Sequence, residues 1–435
     1  MVINILICIN AVVAIMLQSI CPNKRHCILI ISASLALFLG TWSSSSLSGM
    51  LSMVPWDTIL MVFYLTVFGE YFFESNILDL AIKRLSIICK GRPDLIILVF
   101  NGIVFFVSSV VNNFQALLLL LPPLIRLLQL MSNVNKRFLT ILFSSVLITS
   151  NLAGASTPIG DFPALYLLSQ EVISFSSYLT NATPFTLIAV IFVIGFAVAM
   201  YKVHPLETSK REEKLLVDFT QELYRNVKIK RGIFIPTMLA LCGMFVFWFM
   251  GYNPTIVAGL GLAFLAAYIE KGKITELATK KLDSQIFIYF ICIFIIITSV
   301  QQTGVLEEIA DWLLTFQDDK FLLIVLFSFA TMITTSIVSA GPSTIVFYPV
   351  VESIQELYPE NCAITCFCLS ICAGSSMFLT AATAGPLLTR MTEQYKLNTN
   401  ESGVYKFTSK NYFFYGLIGS IIIFLSNILY ILVKL

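Results

Sequence analysis

Asp161 lies in "NLAGASTPIGDFPALYLL" (151–168), a carboxylate beside two glycines and two prolines in an otherwise greasy stretch. Placing a charge deep in a bilayer costs at least about 2.5–3.5 kcal/mol on insertion scales, so such a residue is read first as functional. The same break carries Asn151, Ser156 and Thr157. Three other places combine helix-breaking sequence with small oxygen-bearing side chains. "VVNNF" interrupts an apolar segment over 94–132 and brings Asn112 and Asn113. "VSAGPS" interrupts another over 320–357 and brings Ser339, Ser343 and Thr344. "AGSSMFLTAAT" breaks the segment 362–390 and brings Ser375, Ser376, Thr380 and Thr383. Hydroxyls, amides and main-chain carbonyls are hard ligands, suited to Na⁺ or to hydrogen-bonding an oxyanion. Unpaired backbone costs several kcal/mol in lipid, so breaks like these survive only inside protein or along a watery cavity. Each break also opens helix ends, whose N–H poles favour anions and whose carbonyl poles favour cations.

The elements that position these residues are membrane spans. Of 435 residues, 57% are hydrophobic and only 12% charged, where a soluble domain carries roughly a quarter charged. Mean hydropathy is +0.88. Apolar runs at or near spanning length fall at 2–20, 26–46, 57–75, 136–168, 183–202, 232–250, 254–270, 283–303, 362–390 and 411–433, most of them close to the roughly 20 residues a crossing needs. The first run lacks a basic leader and a small-residue cleavage site, so it is expected to be a retained span. Most of the ten cysteines sit singly in apolar runs and behave as small hydrophobes. With two histidines and no cysteine cluster, no metal site is indicated. The expected fold is an all-α polytopic membrane protein of about ten transmembrane helices plus two re-entrant hairpins.

A polar stretch over 202–231 divides the chain into matching halves, 1–201 and 232–435. Each half has three spans and an amphipathic piece ("NILDLAIKRLSII", then "GVLEEIADWLLTF"). An interrupted segment (94–132, then 320–357), a broken helix (136–168, then 362–390) and a last span follow. Pro122 and Pro349 are expected to end the apolar arms of the two interrupted segments. Positive charge sets the orientation, because short loops rich in Lys and Arg stay cytoplasmic. With the connector inside and each interrupted segment a re-entrant hairpin, all Lys and Arg except Lys320 and Lys434 fall in inside loops. Each half then has five spans, so the repeat is inverted and both termini lie outside. Inverted repeats with broken helices place a transport site near the midplane.

At these residues the chain resembles a known group. "GASTPIGDFPAL" is similar to the "GGTATLIGDPPN" type of motif in the ion transporter superfamily. That superfamily includes D-type sodium/proton antiporters, the arsenite permease, citrate–metal transporters and divalent anion/sodium symporters. "VVNNFQALLLLLPPL" resembles its first-hairpin motif, and "CAGSSMFLTAATAGPLLT" its second broken helix. The resemblance implies a homodimer in which a scaffold holds a mobile, elevator-type transport domain. It also implies cation binding at Asn112, Asn113, Thr157, Gly160, Asp161, Ser339, Thr344, Ser375 and Thr380. The chain departs from the pattern at Asn112, where the antiporters carry an aspartate. It departs again at "DFPA", where the pattern has "DPPN", and at a second tip without an acid or Asn.

These observations point to a secondary active transporter of a small ion, with no cofactor beyond Na⁺ or H⁺. Cation/proton antiport at Asp161 leads; the rival is Na⁺-coupled uptake of a carboxylate (citrate or a dicarboxylate) or another oxyanion such as arsenite. A reading from another class is a membrane sensor or assembly subunit that keeps the fold without transport. No nucleophile–base pair, phosphate loop or nucleic-acid patch supports an enzyme or a nucleic-acid binder. The expected partners are the lipid bilayer, a small solute and a second copy, in a plasma membrane of bacterial inner-membrane type.

Overall fold

A computed structural model describes residues 2–20, 24–42, 46–52, 54–89, 92–129, 131, 134–206, 214, 217–218, 222, 225, 227–269, 284–359, 361–397 and 404–435. The regular structure of these residues is helical. In the first half the helices are α1 (Val2–Ile20), α2 (Arg25–Trp42), α3 (Leu47–Ser52), α4 (Trp56–Glu74) and α5 (Ile77–Cys89). They continue with α6 (Pro93–Val110), α7 (Asn113–Gln129), α8 (Lys136–Ser156), α9 (Phe162–Ser169) and α10 (Phe175–Lys202). The second half begins with α11 (Arg231–Phe249), α12 (Pro254–Tyr268), α13 (Ser284–Gln301) and α14 (Val305–Leu314). It closes with α15 (Lys320–Val338), α16 (Ala340–Gln355), α17 (Cys362–Met377), α18 (Gly385–Gln394) and α19 (Ser409–Lys434). The connector over 202–231 lies partly, and the basic loop over 271–283 wholly, outside the described residues.

Six of these helices (α6, α8, α10, α11, α15 and α19) are long and apolar enough to cross a membrane, and six shorter apolar helices accompany them. By length and composition these are the candidate spans of a polytopic all-helical membrane protein. Local sequence explains where helices start. Asn135 accepts from Phe138 N at 2.8 Å, Asp319 from Leu322 N at 3.0 Å, and Asn253 from Ile256 N at 3.0 Å ahead of Pro254. Each fills a backbone donor that the first turn leaves open.

The order of helices in the second half follows that of the first, with α6/α7 answering to α15/α16 and α8/α9 to α17/α18. Packing follows the same correspondence: α6 lies along α8 and α15 along α17, while α10 and α19 pack on the broken helices of their own halves. The halves also cross over. The return arm α7 touches α18, and the return arm α16 touches α9. The broken helix α8 runs through the interior: 94% of the residues in its apolar 18-residue window are buried, against 28% for α10. Lipid-facing leucines and phenylalanines sit instead on the flanking spans, such as Phe192, Leu239 and Leu432.

Two expectations are corrected. Pro122 and Pro349 do not end the arms of the interrupted segments; they lie inside α7 and α16, which run on to Gln129 and Gln355. Neighbouring helices and local adjustment satisfy the backbone groups that a proline frees in a membrane helix. The last span of the first half is longer than its apolar run, because Ser174 accepts from Ser177 N at 3.2 Å and starts α10 at Phe175 rather than near 183.

Candidate functional site

All four expected interruptions are present, at 111–112, 157–161, 339 and 378–384. The first tip and first break are stitched together by backbone. Asn113 N donates to Gly160 O at 3.1 Å. The Thr157 hydroxyl donates to Ser109 O, and Ser150 Oγ donates to Asn113 O at 3.4 Å. Asn112 Oδ1 accepts from Phe114 N at 3.0 Å and so caps α7. Glycine is required at this crossing. A Cβ on Gly160 would lie 2.8 Å from Gly154 Cα, Gly154 O and Ser108 O, and one on Gly154 would lie 2.8 Å from Asp161 Cβ.

Asp161 caps α9, with Oδ1 accepting from Phe162 N at 2.8 Å, and the Asn113 side chain is a neighbour of the carboxylate. At 5% exposure Asp161 is buried.

The carbonyl ends of the broken helices are filled by hydroxyls from the spans that follow them. Tyr178 donates to Ala155 O at 2.9 Å and Thr183 to Ser156 O at 2.7 Å; Tyr412 does the same for Ser376 O. The amino ends differ between halves. Those of α7 and α9 carry the side-chain caps Asn112 and Asp161, whereas α16 and α18 have no side-chain cap. Ser339, which joins α15 to α16, has φ 85 and ψ 161. That conformation is essentially confined to glycine and stores on the order of 1–3 kcal/mol in another residue.

The four breaks meet at one cavity of about 190 Å³. Asn112 comes from the first tip, Asp161 from the first break, Ser339 and Gly341 from the second tip, and Thr383 from the second break. Asp161 is the one carboxylate in its wall, and no Lys or Arg is found there among the described residues. The other expected residues stand behind the wall or away from it. Asn113, Ser343 and Thr344 are buried behind the tips, with Thr344 Oγ1 donating to Ala340 O of its own helix at 2.7 Å. Ser156 and Ser375 likewise bond back to Ala153 O and Cys372 O. Asn151 and Ser376 bond to each other, Thr157 to Ser109 O, and Gly160 packs on Gly154. Thr380 is exposed and does not line the cavity.

The cavity also has walls that the sequence reading passed over: His26, Thr66, Gln115, Tyr289 and the rings of Phe114, Phe162 and Phe290. Gln115 lies three residues from Asn112 in the same tip, so helical spacing was a usable signal there. His26 and Tyr289 come from distant spans and left no local sign. Several buried polar atoms around the site have no hydrogen-bond partner in the protein: Asn113 Oδ1, Gln115 Oε1, Ser343 Oγ and His26 Nδ1. Buried polar groups are normally paired, so orphaned oxygens around a carboxylate suit a solute with charge or protons to offer.

Comparison with known proteins supplies the context. A family model described as "Citrate transporter" matches residues 8–385. An uncharacterized transporter of Mycobacterium tuberculosis is 21% identical over 262 residues, 59% of this chain and 58% of its own length. The match thus spans less than two thirds of that relative. A magnetosome protein, MamN, of Paramagnetospirillum magneticum is 23% identical over 83% of this chain and 82% of its own. The "Sodium/proton antiporter 2" of Arabidopsis thaliana is 24% identical over 70% and 71%.

Proposed function

The chain belongs to the citrate transporter family of the ion transporter superfamily, and from that premise we propose that this membrane transporter exchanges a small cation for protons at Asp161. The observation that carries the reading is the convergence of all four breaks on one cavity whose only carboxylate among the described residues is Asp161. A buried carboxylate needs a compensating charge. No Lys or Arg lies in the described wall, where His26 is the one basic side chain; in this reading the carboxylate holds either an arriving cation or a proton, and the two compete for it. Asn112, Ser339 and Thr383 offer further oxygens from the wall, and Asn113 orients the carboxylate from behind. The similarity to a sodium/proton antiporter of Arabidopsis thaliana lends support.

The hairpins and broken helices would move as an elevator against the remaining spans, in a homodimer with an inverted repeat and both termini outside. The test is a proteoliposome with an internal pH dye. Added Na⁺ or Li⁺ produces a pH change with the native protein and none with Asp161→Asn; an unaltered response in that variant refutes the reading.

A second reading has one observation in its favour. The amino ends of α16 and α18 lack side-chain caps, and Gly341 and Thr383 beside them line the cavity. Open N–H groups at helix starts attract anions, so Na⁺-coupled uptake of a carboxylate is the alternative, in line with the family's description. Na⁺-dependent uptake of labelled citrate without a pH response would favour it.

A further inference from the structure

Asp161 does not hold its own position. Its Oδ1 is fixed by the backbone N–H of Phe162, at 2.8 Å, so the carboxylate goes where Phe162 goes. Phe162 begins α9, a helix of eight residues. A helix that short has little stability of its own and takes its place from packing. The Phe162 ring is 6% exposed and lies flat against Phe290 of α13, with centroids 4.5 Å apart and planes 16° apart. Phe294, one turn further along α13, closes the contact from 6.2 Å, and Tyr166, one turn along α9, packs on the same Phe294 at 6.1 Å. Phe162 and Phe290 are both in the wall of the cavity that Asp161 faces.

We infer that Phe290 is a positioning residue for the ion site: its ring sets the Phe162 backbone N–H and, through it, the orientation of the Asp161 carboxylate. This rests on the proposed role of Asp161 as the ion-binding group. It assigns a task to a residue on a different span, 129 positions away in the chain by its number. The placement also accounts for Phe162, which stands where the resembling motif has a proline. A proline there has no N–H to offer the carboxylate, whereas phenylalanine offers both the donor and a flat face by which α13 can hold it.

The chemistry sets the expected signature. Leucine at 290 keeps an apolar wall but loses the stacked face, whereas tyrosine keeps it. Stacked aromatic pairs carry enough energy beyond their buried area for about a two- to tenfold change in an equilibrium they control. Phe290→Leu is therefore expected to raise the half-saturating Na⁺ or Li⁺ concentration by about two- to tenfold with the maximal exchange rate little changed. Phe290→Tyr returns it to the native value.

Two readouts keep this separate from the function itself. Exchange in proteoliposomes by native protein and Asp161→Asn tests whether the protein is an antiporter. Thermal stabilisation of the purified protein by Na⁺ or Li⁺, compared across native, Phe290→Leu and Phe290→Tyr, reads cation affinity without requiring transport. A weaker cation response in Phe290→Leu that Phe290→Tyr restores supports the inference. An unchanged response in Phe290→Leu overturns it. So does a loss that tyrosine fails to restore, or a fall in stability without cation that accounts for the whole effect.

Discussion

Asn151 donates from its side-chain amide to the Ser376 hydroxyl at 3.1 Å, tying the end of α8 in the first half to the end of α17 in the second. Both residues are essentially sealed from solvent, at 1% and 0% exposure. Removing Asn151 takes this donor from the buried Ser376 hydroxyl, and removing Ser376 leaves the Asn151 amide with its longer bond to Ser375 O at 3.5 Å. Asn151→Ala and Ser376→Ala should each cost about 0.5–2 kcal/mol. The double variant should cost less than the sum, since the second removal finds the bond already lost. Chemical unfolding of the purified protein measures this; simple additivity would show that the bond carries no coupling.

Ser339 occupies a backbone conformation, φ 85 and ψ 161, that only glycine adopts freely. Ser339→Gly should raise the unfolding temperature by relieving on the order of 1–3 kcal/mol of strain, and Ser339→Ala should not. Both remove a hydroxyl from the cavity wall. If both also weaken cation response alike, that hydroxyl contributes to binding and the backbone strain does not.

Gly160→Ala puts a methyl 2.8 Å from three backbone atoms of Gly154 and Ser108, none of which can swing aside. Overpacking of this kind costs about 1–3 kcal/mol. It should also push the first tip off the first break and abolish the cation-driven pH change. Gly102→Ala, in α6 with nothing within 4 Å of the added methyl, is the control and should leave transport intact. Normal transport by Gly160→Ala would mean that the tip–break contact is dispensable.

Tyr178 and Tyr412 fill carbonyls at the ends of the two broken helices. Tyr178→Phe and Tyr412→Phe each leave a buried carbonyl short of a donor, at a cost of about 1–3 kcal/mol. Thermal unfolding should detect both losses, the smaller at Tyr178 because Thr183 still donates to the neighbouring Ser156 O.

Much of this architecture was legible in the chain. Hydropathy located the spans because lipid demands long apolar runs, and clusters of Gly, Pro, Asn and small hydroxyl residues located the interruptions because together they favour non-helical backbone. The limits were equally physical. Proline alone does not say whether a helix stops or continues, so Pro122 and Pro349 were misjudged. Oxygen-bearing side chains mark a break without saying which way they face. Ser156, Thr344 and Ser375 turn back to their own helices, and only Asn112, Asp161, Ser339 and Thr383 reach the cavity from the expected set. His26, Tyr289 and Phe290 arrive from spans far off in sequence, and only the packed structure brings them to Asp161.

The central claim, that cation and proton compete for one buried carboxylate, is tested most directly by proton release. Purified native protein in weakly buffered detergent solution should acidify its medium when Na⁺ or Li⁺ binds, and Asp161→Asn should not. Cation binding by the native protein without proton release, or equal release from Asp161→Asn, would contradict the account.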